Sequence, residues 1–87
     1  MPSDTQKTCF IEAVVNTRHA MYRVALVMLK QAADAEDAVS DAVEATWRNL
    51  ERIRDLKALP AYLLKSTINA AHKTLRGRKR ESTMEHL

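Results

Sequence analysis

Apolar residues recur along this chain at the three- and four-residue spacing of an amphipathic helix. In MYRVALVMLK, Met21, Val24, Ala25, Met28 and Leu29 fall at i, i+3, i+4, i+7 and i+8, which gathers them on one face for burial. Phe10, Val14 and Val15 extend helical character upstream to about Lys7, as a separate helix or a continuous one, with residues 1–6 polar and expected to fray. After a connection at 30–33, Asp34 is the expected N-cap of the next helix. Its carboxylate can accept from free backbone N–H groups, and Glu36 and Asp37 suit the positive end of the dipole. Ala35, Ala38, Val39, Ala42, Val43, Thr46, Trp47 and Leu50 then keep the helical period. The small residues allow close approach to a neighbour, and Trp47 is the expected buried anchor. The segment ERIRDLKAL loses the period and reads as a basic loop. Pro60 then suits the first turn of a last helix from Leu59 to Arg76, with Gly77 as its C′ residue and RKRESTMEHL as a tail.

These elements predict an all-α fold, a compact bundle of three to four helices forming one domain over 1–87, with about 7–80 as its ordered core and 1–6 and 81–87 as tails. One Gly and two Pro leave few of the punctuators that sheets require. Cys9 is the lone cysteine, and His19, His72 and His86 are scattered without ligand spacing, so neither disulfide, metal nor cofactor is expected. The start MPSDTQKT lacks the parts of a signal peptide, and no apolar run approaches the roughly 18–20 residues of a membrane span. A cytoplasmic protein without membrane association is the expectation. Paired carboxylates occur in the middle helix, but no Gly-rich loop or adjacent His accompanies them, so no enzymatic role is expected.

Charge changes the picture more by its distribution than by its sum. Residues 1–45 carry four Lys/Arg against seven Asp/Glu, a balance of −3, and residues 46–87 carry ten against four, a balance of +6. On the last helix, Leu64, Ile68, Ala71 and Leu75, flanked by Leu63, Thr67 and Ala70, form the side expected to meet the core. The opposite side collects Tyr62, Lys65, Ser66, Asn69, Lys73, Arg76 and, if the helix continues, Arg80. A merely solvated face interleaves Glu with Lys, yet no acid lies between Asp55 and Glu81. Cations to neutralise phosphates, an amide for a base edge and an aromatic for an unstacked base point to nucleic acid. The middle helix has the opposite sign, with Asp37, Asp41 and Glu44 on one stripe with Ser40, a surface for a basic or helical protein partner.

The DAEDAV helix start with its later TW, and PAYLLKSTIN followed by LR and basic residues, resemble domain two of the extracytoplasmic-function sigma factors, over roughly residues 10–80. These are the small alternative specificity subunits of bacterial RNA polymerase. The resemblance implies that Asp37, Ser40 and Asp41, joined by Glu44, dock on the clamp coiled coil of the largest subunit of core RNA polymerase. It also implies that the loop carrying Arg52, Arg54 and Lys57 helps capture a flipped base of the −10 promoter element. Tyr62, Lys65, Asn69 and Lys73 then lie along the opening non-template strand, and Arg76, Arg78 and Arg80 add cations beyond them. An anti-sigma factor is the regulatory partner that the family implies. Three departures accompany the match. Ser40-Asp41 stands where the family has Gln-Glu, Tyr62 stands where it has Trp, and no second helix-turn-helix domain follows, as expected of either a piece of a longer chain or a stand-alone relative. Two readings compete with this one. A degenerate sigma-like module would bind polymerase or an anti-sigma factor without reading a promoter, and a generic duplex binder would need the short turn that this chain lacks before its last helix.

Overall fold

The computed structural model describes residues 1–85 and is all-α. Among these residues are three helices, α1 (Asp4–Leu29), α2 (Ala32–Arg48) and α3 (Leu59–Glu85), with two 3₁₀ turns, Leu50–Arg52 and Leu56–Ala58, in the α2–α3 connection. None of the helices is long and apolar enough to cross a membrane. The upstream segment and the MYRVALVMLK stripe are one continuous helix. It starts three residues before Lys7, because Ser3 and Gln6 form a reciprocal cap. The Ser3 hydroxyl accepts from the Gln6 N–H at 3.1 Å, and the Gln6 side-chain oxygen accepts from the Ser3 N–H at 2.7 Å.

α1 stops at Lys30, which takes the left-handed conformation (φ 62°) and returns its N–H to the Leu26 carbonyl at 2.8 Å. α2 begins almost at once after Gln31, whose extended backbone (φ −131°, ψ 128°) serves as N-cap without a side-chain bond. Asp34 is therefore not the cap. It is the third residue of α2, and its carboxylate is taken by Arg78 of α3. The same guanidinium donates to the Leu29 carbonyl at 3.0 Å. That carbonyl belongs to the last turn of α1, where no intrahelical donor remains, and a cation suits that end as an anion suits the start of α2. One half-buried side chain thus ties all three helices together.

The core runs in two patches along the bundle. Phe10, Ala13, Met21, Ala42, Leu50, Leu59 and Leu63 fill one, and Ala25, Leu29, Ala35, Ala38 and Ala71 fill the other. The buried hydroxyls of Thr46 and Thr67 donate back to the carbonyls of Ala42 and Leu63, each at 2.8 Å, so neither is left unsatisfied in the interior. Three sequence expectations are corrected. Trp47 is not a buried anchor. It remains 41% exposed, leaning on Phe10 at 5.3 Å between ring centroids, at the edge of α2 where its apolar neighbours Val14 and Val43 are themselves only half-buried. The buried stripe of α3 is Leu59, Leu63, Thr67 and Ala71, centred on the expected flank of Leu63 and Thr67; Leu64 and Leu75 pack at its edge and Ile68 is left 37% exposed at the rim. Gly77 is an interior helical residue without positive φ, so the helix carries the basic run onward to Glu85.

Three outcomes follow from this packing. Arg78→Ala removes two charge-assisted contacts with a net contribution of about 1–2 kcal/mol, and the melting temperature should fall by about 4–8 °C per kcal/mol lost; an unchanged melt by circular dichroism would exclude the tie. Gly77→Ala meets nothing within 4 Å and should raise stability by about 0.5–1 kcal/mol in urea denaturation, whereas a loss would mean that the helix breaks there. The native emission of Trp47 should be red-shifted from that of a buried indole and quenched by acrylamide, and a blue, unquenched spectrum would contradict its exposure.

Candidate nucleic-acid interface

Turning the buried stripe of α3 brings its polar stripe round to face α2. The two helices frame an open cleft of about 660 Å³. Its α3 wall carries Tyr62, Ser66, Asn69, Ala70, Lys73 and Arg76, and its α2 wall carries Asp41, Glu44, Ala45 and Arg48. Tyr62 and Ser66 are half-buried towards the floor, while Asn69, Lys73 and Arg76 are exposed above them. Of the stripe read from sequence, then, Tyr62, Asn69, Lys73 and Arg76 share one wall. Lys65 is exposed but does not line the cleft, and Arg80 is exposed one turn beyond Arg76. Arg78 stands apart, with its guanidinium directed to Leu29 and Asp34.

The α2–α3 connection is anchored rather than loose. Ile53 and Leu56 pack against the core, the Asn49 side chain donates to the Ala45 carbonyl at 2.9 Å, and the Asp55 carboxylate accepts from the Lys57 N–H at 3.0 Å. With the apolar residues turned inward, Arg52, Arg54 and Lys57 are exposed. The connection ends at Leu59, where α3 begins, one turn before Tyr62 of the cleft.

The acidic stripe of α2 is divided by the fold. Asp37 is exposed, and Asp41 faces the α3 cleft. Ser40 faces the other way, into a groove against α1 lined by Arg18, His19, Tyr22, Glu36 and Val39. Glu44 sits on the crest, lining both the α3 cleft and an apolar groove formed with Phe10, Val14, Val43 and Trp47. Sequence reasoning missed Arg48. It lies seven residues after Asp41 and four after Glu44, spacing that puts all three on one helical face, and it pairs with the Glu44 carboxylate.

Chemically the cleft offers cations at its rim, an amide and a hydroxyl for hydrogen bonding, and a phenol ring at its floor. A polyanion with flat, hydrogen-bonding bases matches that set, whereas a buried nucleophile or paired acid and base does not occur in it. Among the described residues no cluster of three or more His, Cys, Asp or Glu is placed to hold a metal ion.

Comparison with known proteins agrees with this geometry. No curated protein and no solved structure matches the chain. A family model described as Sigma-70 region 2 matches residues 14–81, from within α1 to the basic end of α3, and so spans the whole cleft. The chain belongs to the sigma-70 region 2 family, the domains of transcription initiation factors that bind RNA polymerase and the −10 promoter element.

Proposed function

We propose that this chain is a region 2 domain of the extracytoplasmic-function type, which docks on the clamp coiled coil of the polymerase largest subunit and holds the non-template strand of an opened −10 element. The observation that carries the reading is the α3 wall of the cleft, where Tyr62, Asn69, Lys73 and Arg76 lie side by side with the cationic connection at one end. Tyr62 supports an unstacked base, Asn69 takes a base edge, and Lys73 and Arg76 neutralise phosphates. Arg52, Arg54 and Lys57 guard the end where a flipped base enters, and Lys65 and Arg80 widen the positive field. Unstacking costs a few kcal/mol per step, which these contacts offset.

On this reading polymerase docks across the crest of α2, with Asp37 exposed, Ser40 on the α1 side and Asp41 and Glu44 on the edge of the cleft, an anionic ridge that suits a basic helical partner. The whole span 1–87 acts as one domain, without catalysis, in the compartment where polymerase works. An anti-sigma protein would regulate it by covering the same ridge. Tying α3 to the α1–α2 turn is the part assigned to Arg78.

The test is capture of this protein by the isolated clamp coiled coil of bacterial RNA polymerase. Asp41→Lys should abolish capture and Asn69→Ala should leave it intact, with both variants folded by circular dichroism. Equal loss from both, or no capture of the folded wild type, would overturn the docking assignment.

A further inference from the structure

The α2 wall of the cleft contains one cation among its acids. Arg48 is an exposed residue in the last turn of α2, its side chain 71% accessible, and it lines the same cleft as Tyr62, Ser66 and Asn69 of α3. Its carboxylate partner, Glu44, is also open to solvent at 58%. An i,i+4 pair this exposed is screened by solvent and contributes little to stability, so it does not commit the guanidinium to the fold. A phosphate takes a guanidinium in a bidentate fork and carries more charge than a carboxylate, so a strand in the cleft would draw Arg48 away from Glu44.

We infer that Arg48 is a nucleic-acid-binding residue on the wall opposite Lys73 and Arg76, and that Glu44 restrains it when the cleft is empty. The inference deepens the strand-binding reading above and rests on it. A strand gripped from one wall alone would be held as on any basic helix. Arg48 supplies a second wall, so the backbone passes between α2 and α3 with bases turned to Tyr62 and Asn69. Glu44 acts against this twice, by occupying the guanidinium and by repelling phosphate from the same rim. Removing its charge while keeping its shape therefore strengthens binding.

The test is fluorescence anisotropy of a labelled, mixed-sequence single-stranded DNA oligonucleotide with the full chain, titrated over a series of salt concentrations. Arg48→Ala should weaken binding about tenfold at low salt, as for one charge-assisted contact, and should make the slope of log K against log salt shallower by about 0.7. Glu44→Gln should tighten binding. Arg23→Ala removes an equal charge from the exposed outer side of α1 and should leave the slope unchanged. Lys73→Ala separates the two levels of the argument. If it flattens the slope while Arg48→Ala behaves like Arg23→Ala, the role of Arg48 falls and the cleft stands. If neither changes the slope, or the wild type does not bind at all, both fall. Weaker binding by Glu44→Gln would overturn the restraint.

Discussion

The structure depends on a row of alanines. Ala35, Ala38 and Ala42 are the buried spine of α2, and with almost no side-chain volume they allow close approach of that helix to its neighbours. Three features lie around that spine. The polar shoulder of α2 faces the polar stripe of α3 across a cleft. The ring of Trp47 stays at the rim beside Phe10. The α1–α2 turn has only Lys30 and Gln31 between the helices, and Lys30 takes a left-handed backbone, at a cost of roughly 1–2 kcal/mol for a residue with a Cβ.

A turn that tight leaves helix ends to be satisfied from outside, and α3 supplies the donor. Arg78 meets an orphan carbonyl of α1 and the Asp34 carboxylate at the start of α2. The same helix then continues through Gly77 without a break. Structure and charge are thereby coupled along one element. The buried side of α3 holds the fold, one of its cations closes the top, and its polar side lines the cleft.

How much of this was legible in the sequence differs by element. The spacing in MYRVALVMLK and in the alanine helix placed both buried stripes, since Met21, Ala25, Leu29, Ala35, Ala38, Ala42 and Leu50 are all buried. The core side of α3 was read correctly in its members but not in its centre. Leu63, Thr67 and Ala71 are fully buried and Leu64 and Leu75 pack at the edge of the core, while Ile68 is left at the rim, and Thr67 can be buried because its hydroxyl bonds within its own helix. The start of α1 was signalled by Ser3 and Gln6 at capping-box spacing, a mark that a polar stretch easily hides. Gly77 resembled a terminus because glycine usually marks one, yet with favourable neighbours on both sides a helix tolerates it for about 1 kcal/mol. Most of the α3 wall of the cleft was visible as a stripe without acids. Arg48 was not, because it stands in an acidic helix, and only the packing of α2 on α3 brings it to that stripe.

Whether a single strand lies in the α2–α3 cleft is tested most directly by mapping with nuclear magnetic resonance. On adding single-stranded DNA to the isotopically labelled chain, the largest amide and side-chain shifts should fall on Ala45, Arg48, Tyr62, Ser66, Asn69 and Lys73, from both walls together. Shifts confined to the outer side of α3 around Lys65, or to α1, would show that the strand lies elsewhere and that the cleft is only where two charged helices meet.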